Sequence, residues 1–520
     1  MNYPDLTAKQ RKTIDTLGEL KSAGYRPKTI KQELRDNLIE KIRRKEEVFP
    51  GIWGYEDTVI PDVERAILSM HNINLLGLRG QAKTRIARMM VNLLDEYIPY
   101  IPGTDLNDDP LAPLSRVAKD IVEEKGDSTP VAWMHRSERY TEKLATPDVS
   151  VADLIGDVDP IKAATLKLPY SDERVIHFGL IPRSHRGIFV INELPDLQAR
   201  IQVALFNILQ EGDIQIRGFK LRLPLDIQFV FTANPEDYTN RGSIVTPLKD
   251  RIDSQIVTHY PKSLETGQKI TEQEAHVKPE QKGMVRTNQL VKTLIEQIAF
   301  EARESEYVDS KSGVSARMTI SAYESLLSAA ERRALLNSEK DTYVRISDLY
   351  GVVPAICGKV ELVYEGEVEG PVIVAQNLIG KAIRTQFLNF FPNPEKAKKS
   401  KRNPFAKITD WFGANNEMDL MSDMTNREYE ARLKTIEGLD DFVDEFTARL
   451  PKEEKLFMME FALHGMAEYS LIGKQALDKG THFKDLVSSM FSGPGAEDDD
   501  DDTYGFDFDD DDDDDNGKPF

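Results

Sequence analysis

The sequence predicts an α/β fold, a parallel sheet flanked by helices and followed by helical domains, on three observations. Between about residues 58 and 260, the apolar segments NINLLG, VAWM, GIFVIN, IQFVFTA and QIVTHY alternate with helical stretches, as strands joined by crossover helices do. The first of these runs straight into a glycine-bearing loop, INLLGLRGQAKT, that opens a helix. Beyond about residue 285 strand-like runs give way to amphipathic helical sequence, clearest in ISAYESLLSAAERRALL.

Taken in order, residues 9–45 have helical composition and heavy charge, including QELRDNLIEKIRRKEE, and stop at FPGIWGYED, where Pro50, Gly51 and Gly54 break a helix. They form a helical N-terminal extension, 1–46. In the loop after the first strand, Gly77 and Gly80 let the backbone curl with its amides inward, and Lys83 and Thr84 open the next helix. The pattern is that of a phosphate-cradling loop formed by Gly77, Gly80, Gln81, Ala82, Lys83 and Thr84. Lys83 would reach the β and γ phosphates of a nucleoside triphosphate, and the Thr84 hydroxyl would ligate Mg²⁺. Ala82 stands where such loops carry glycine, which costs little if the position is already helical.

GIFVINEL is a second buried strand ending in polar Asn192 and Glu193. LQARIQVALFNILQEG places Leu197, Ile201, Ala204, Leu205 and Ile208 on one helix face and stops at Gly212. DIQIRGFKLRL alternates about Arg217 and Gly218 and is expected to be a β-hairpin leading into IQFVFTAN. Residues 285–385 form a helical lid domain, and 386–415, containing FPNPEKAKKSKRNPFAK, a basic proline-punctuated linker. A helical region follows over 416–491. Residues 492–520 are expected to be disordered, since fourteen Asp or Glu between 497 and 515 repel one another with little to bury.

Composition limits what the chain does. Its 520 residues, 40% hydrophobic and 30% charged, are enough for several packed domains. A single cysteine, Cys357, excludes an intramolecular disulfide framework and fits a reducing compartment. The opening residues lack the apolar core of a signal peptide and no apolar run approaches the roughly 20 residues of a membrane span, so a cytoplasmic location is expected. The net charge of −21 is dominated by the acidic tail, and the mildly acidic body speaks against a nucleic-acid binder. In the tail, Tyr504, Phe506 and Phe508 leave open a docking arm for a basic surface beside a solubilising extension. The histidines show no ligand-like pairing, and no zinc site is expected.

Triphosphate hydrolysis needs Mg²⁺, a positioned water, and positive charge around the γ-phosphate. Glu193, at the end of a buried strand, is placed to polarise the water, and Asn234 in FTANPED ends another strand at the same edge. Arg251 in PLKDRID and Arg317 in SGVSARMT are candidate cations, one from a neighbouring subunit and one from the lid. Singly, each has a structural alternative: a turn for Asn234-Pro235, a surface ion pair for Arg251, a domain cap for Arg317.

Over about residues 47–360 the chain resembles AAA+ ATPases, in particular the magnesium chelatase ATPase subunit and the MoxR group. TPDVSVADLIGDVDPIKAA followed by HFGLIPRSHRGIFVINEL is similar to the chelatase stretch joining its hairpin insert to its Walker B strand. FTANPEDYTNRGSIVTPLKDRID looks like the sensor 1 strand and arginine-bearing helix, and GQAKT resembles the Ala-containing Walker A of MoxR proteins. The resemblance implies an AAA+ P-loop core over 47–265. It further implies that Lys83 and Thr84 are Walker A, Glu193 the Walker B glutamate, Asn234 sensor 1, Arg251 the trans-acting arginine and Arg317 sensor 2. It implies ATP and Mg²⁺, with Thr84 and Asn192 at the metal, a ring of usually six subunits, and a partner with a von Willebrand factor A-type domain. The client is not implied. Where the family has aspartate before the Walker B glutamate this chain has Asn192, which can orient a metal-bound water but not offset the cation's charge. Three functions follow as expectations: an ATPase that remodels a partner protein, a nucleotide-gated scaffold with little hydrolysis, or a sigma-factor-activating regulator. The last lacks a GAFTGA-like loop and a C-terminal helix-turn-helix.

Overall fold

Four of the five anticipated strands assemble with a fifth, unanticipated one into a five-stranded parallel sheet in the computed structural model. The structure describes residues 13–486 apart from 171, 215, 217–222, 236–242, 398–402, 448–449 and 478. The chain divides into two compact units, Met1–Gln386 and Phe387–Phe520.

In the first unit the core strands are β1 (Ile73–Leu76), β2 (Tyr140–Leu144), β3 (Gly187–Asn192), β4 (Ile227–Ala233) and β5 (Ser254–Val257), ordered β5-β1-β4-β3-β2. Register pairs Ile73 with Val230, Phe229 with Phe189 and Tyr140 with Ile188. Every residue of β3 and β4 is buried, as expected for central strands covered on both faces. Successive side chains alternate between the faces. Phe189, Ile191, Phe229 and Phe231 pack with Leu197, Ile201, Leu205 and Ile208 on one side. Ile188, Val190, Val230, Ile73 and Leu75 pack on the other. Against that second face lie α1 (Ile30–Arg44), α2 (Val59–Leu68) and α3 (Lys83–Met89), through Leu34, Leu38, Val63, Ile67 and Ile86. Thr29 and Gln32 cap α1 reciprocally, which sets where the helix begins.

Two local expectations change. VAWM does form a strand, but Ala132–His135 pairs antiparallel with Tyr97–Tyr100 outside the core sheet. The core position belongs to β2, YTEKL, an edge strand whose partly exposed polar side chains hide it from a search for apolar runs. The helix over 197–211 is broken at Leu205 into Ala199–Ala204 and Phe206–Glu211, though the predicted face is buried and Gly212, at φ +68°, ends it. The expected hairpin shows its stem, Ile214 opposite Leu223, while most of its tip, including Arg217 and Gly218, lies outside the described residues.

Beyond the sheet, α5 (Gln289–Glu304) and α6 (Ala316–Leu336) of the expected helical lid pack together with α4 (Leu264–Glu274), which lies before the predicted start at 285. A buried ion pair, Arg333 Nη2 to Asp348 Oδ2 at 2.9 Å, ties α6 to the segment that follows it.

The second unit is helical with an antiparallel sheet of Met418–Met421, Gly480–Lys484 and Gly473–Leu477 that was not anticipated. Its α7 (Lys452–Glu468) is buried on all sides over Leu456–Met466. The predicted linker is partly core: Phe405, Ile408 and Phe412 are fully buried, and Phe391, Phe405 and Phe461 join one aromatic cluster with Phe387. Its lysines hid these phenylalanines from composition-based reading. Lys398–Arg402 of that linker and the acidic tail lie outside the described residues. Among the described residues no helix is long and apolar enough to cross a membrane.

Candidate nucleotide site

In a parallel sheet, ligands gather where strands end and neighbouring connections diverge. Here β1, β3 and β4 end together, and the loop 77–82, Asn192-Glu193 and Asn234 meet at that edge. The lid closes the opposite side of a cleft of about 930 Å³, lined by Gly80–Arg85, Arg88, Glu193, Asn234, Glu274 and Arg317 among others.

The loop is built around two glycines. A Cβ on Gly77 would fall 2.0 Å from Thr258 Oγ1 and 2.3 Å from Gln81 Oε1, atoms that bond to each other at 2.6 Å. Gly80 has φ +73°, and a Cβ there would lie 2.0 Å from Ser315 Oγ, the cap of α6. The loop thus touches both β5's continuation and the lid. Ala82 corrects the sequence reading: it is not helical but left-handed, φ +57° and ψ 14°. An L-residue there costs roughly 1–2 kcal/mol, so the alanine substitution is not neutral.

Lys83, buried, reaches back into the loop and donates to the carbonyls of Gly77 and Leu78 and, at 2.6 Å, to Asn234 Oδ1. The Asn234 amide nitrogen in turn donates to Glu193 Oε2 at 2.7 Å. Glu193 itself is left-handed, φ +55°, a strained conformation of the kind stored at functional sites; its N–H donates to Thr232 Oγ1 at 3.1 Å. Thr84 Oγ1 lies 3.3 Å from Asn192 Oδ1. Thr232 Oγ1 donates in turn to Asn192 Oδ1 at 3.2 Å, and through it Lys83, Thr84, Asn192, Glu193 and Asn234 share one hydrogen-bonded group.

Four arginines line the cleft, and carboxylates hold three of them. Arg79 pairs with Glu361 at 2.7 Å, Arg85 with Glu274, and Arg88 with Glu142 at 2.9 Å. Arg317, exposed at the start of α6, has no carboxylate partner among the described residues. Arg251 is not in this cleft. It donates to Gln210 Oε1 and the Pro247 carbonyl, and stacks 5.0 Å over Phe206.

Several site residues escaped the sequence reading. Thr232 had a usable signal, as a hydroxyl in a mostly apolar strand, two residues before Asn234 and so on the same face. Glu142 had none, because β2 itself was unread. Burial opposes ionisation of Glu142, but Arg88, Tyr140 and Asn192 outweigh it and hold the carboxyl below its usual range.

A chelatase protein is among the known proteins this chain is similar to. It is 26% identical over 200 residues, 37% of this chain, to the magnesium-chelatase 38 kDa subunit of Cereibacter sphaeroides. Those residues are 52% of that relative, so the chain spans about half the length of the curated protein it matches. No family model matches the chain. Among solved structures, a chain of the complex between subunits BchI and BchD of magnesium chelatase is 19% identical, with 62% of this chain and 98% of that one covered and a TM-score of 0.32. NtrX from Brucella abortus in complex with ADP is 12% identical, with 71% and 67% covered and a TM-score of 0.33. At such scores the fold rests on the sheet order and the loop geometry above. The chain has a parallel α/β core with a glycine-bearing loop after its first strand and a helical unit beside it, and over 200 residues it resembles the 38 kDa subunit of magnesium chelatase.

Proposed function

We propose that this protein is an ATPase that binds ATP with Mg²⁺ at the sheet edge and uses nucleotide-driven changes in a ring of copies to remodel a partner protein. One observation carries the proposal: Lys83, Thr84, Asn192, Glu193 and Asn234, from three separate strand ends, are linked through Thr232 into a single hydrogen-bonded group beside a glycine-bearing loop. The donor set suits the ligands. The loop packs against Thr258 and Ser315 only because Gly77 and Gly80 lack Cβ atoms, and a buried ammonium at its centre matches a phosphate chain. A hydroxyl and an amide oxygen suit a hard cation that keeps most of its water.

Thr84 and Asn192 would hold Mg²⁺, which when bound offsets charge on the β and γ phosphates. Lys83 would exchange its carbonyl partners for phosphate oxygens. Glu193, oriented by the Asn234 amide, accepts the proton of the attacking water, and Asn234 keeps that water in place. Arg317, without a carboxylate partner among the described residues, is available to the γ-phosphate from the lid. Arg251, outside the cleft of its own chain, would serve the site of a neighbouring copy. The resemblance to magnesium chelatase supports the ring and a partner with a von Willebrand factor A-type domain.

A second reading, a nucleotide-gated scaffold with little turnover, is favoured by the neutral amide at Asn192. Steady-state phosphate release separates the two. Lys83→Ala is expected to abolish ATP binding, and Glu193→Gln to keep binding while reducing release by roughly 10²–10⁴-fold. If neither substitution alters a measurable rate while the protein still binds ATP, the scaffold reading holds. If the wild-type protein binds no ATP, both fall.

A further inference from the structure

A cation beside Thr84 needs the oxygen of the Asn192 side chain, because the amide nitrogen presents protons to it. A carboxamide fits its slot either way round, so something must choose. The hydroxyls of Thr84 and Thr232, 3.3 and 3.2 Å from Oδ1, can donate or accept and do not decide. Glu142 does. Its Oε1 lies 2.5 Å from Asn192 Nδ2, and an ionised carboxylate only accepts, so the nitrogen must face β2 and the oxygen must face Thr84.

Glu142 is itself fixed from three directions. Arg88 Nε and Nη2 donate to it at 2.9 and 3.1 Å, and the Tyr140 hydroxyl at 3.0 Å. The same carboxylate therefore neutralises an arginine that lines the cleft, and stands one hydrogen bond behind the neutral Asn192.

We propose that Glu142 is a positioning residue for the site's metal: it turns the Asn192 oxygen toward Thr84 and supplies behind it the negative charge that the amide lacks. The proposal rests on the nucleotide reading above. The two residues act as one divided ligand, charge on β2 and oxygen on β3.

The test titrates a fluorescent ATP analogue into the full chain across Mg²⁺ concentrations and in EDTA. Glu142→Gln keeps the shape but removes the charge and the acceptor-only character. It is expected to raise the Mg²⁺ concentration needed for tight binding by roughly 10–100-fold, as loss of a partner behind a metal ligand does, and to leave binding in EDTA unchanged. The swapped pair Glu142→Gln/Asn192→Asp moves the carboxylate one position closer while keeping a donor opposite it, and is expected to recover the wild-type Mg²⁺ requirement. A merely structural role would weaken binding equally with and without metal, and the swap would not repair it.

A Mg²⁺ requirement unchanged by Glu142→Gln overturns the proposal alone, as does wild-type binding that Mg²⁺ does not strengthen. If the single variant does not fold, the swapped pair decides by the same criterion: recovery supports, loss overturns. Wild-type protein that binds no analogue overturns the nucleotide reading, and this proposal with it.

Discussion

Substituting Gly77 by alanine tests whether the loop's shape depends on contacts that sequence alone does not reveal. The new methyl would arrive 2.0 Å from Thr258 Oγ1 and 2.3 Å from Gln81 Oε1, between two groups joined at 2.6 Å. Both residues are buried, at 4% and 6% exposure, so water cannot replace the bond it parts. Overpacking of this kind costs about 1–3 kcal/mol. An unpaired buried acceptor adds about 1–3 kcal/mol, and the stiffer unfolded chain returns about 0.4–1 kcal/mol. The net expectation is a loss of about 1–6 kcal/mol, centred near 3, which for a domain of this size lowers the thermal midpoint by about 2–4 °C per kcal/mol. Thr258→Ala removes the nearest obstacle, leaving a tolerable 3.2 Å contact at its Cβ and the flexible end of Gln81 to move. Adding Gly77→Ala to Thr258→Ala should therefore cost little, giving a coupling of about 1–3 kcal/mol in the double-mutant cycle. Thermal unfolding of the four proteins, with ATP-analogue affinity alongside, measures it. A wild-type midpoint for Gly77→Ala, or strictly additive losses in the double variant, would refute the reasoning.

Two further predictions concern buried charge. Arg139 holds Glu33 through paired bonds of 2.6 and 2.7 Å with both side chains buried, so Arg139→Leu is expected to destabilise by about 3–5 kcal/mol through the stranded carboxylate, and Arg139→Leu/Glu33→Leu by much less. Equal melting of the single and double variants would contradict this. In the lid, burial raises Glu296 to about 7 despite a hydrogen bond from Thr271, so between its unfolded value and about 7 the folded state holds the extra proton. Stability from this group is then full below the unfolded value near 4.5 and lost as pH rises through about 7, by of order 3 kcal/mol in total. Glu296→Gln should flatten that dependence of the thermal midpoint; an unchanged slope would assign it to other groups.

The residues that meet at the candidate site were legible because each sits where a strong local pattern ends. Lys83 and Thr84 follow a strand and a glycine loop, and Asn192-Glu193 and Asn234 are polar residues closing predominantly apolar strands. β2 was not legible. An edge strand meets only one neighbour, and Tyr140–Leu144 keeps polar side chains partly exposed, so nothing in its composition separates it from a loop, whereas VAWM, with the stronger apolar signal, lies outside the sheet. The aromatic core of the second unit was masked in the same way, by lysines and prolines between Phe391 and Phe405.

By itself the sequence determined the chemistry available and the order in which it appears: a glycine loop with lysine and threonine, a glutamate and an asparagine at strand ends, two candidate arginines. Period and residue type act locally, and these features are local. Only the tertiary structure decided the relations among them. Glu142 faces Asn192 because parallel pairing sets β2 beside β3, and Gly77 and Gly80 are required because the loop passes close to Thr258 and Ser315. Such contacts join residues tens to hundreds of positions apart, where no periodicity reaches and packing alone selects the partner.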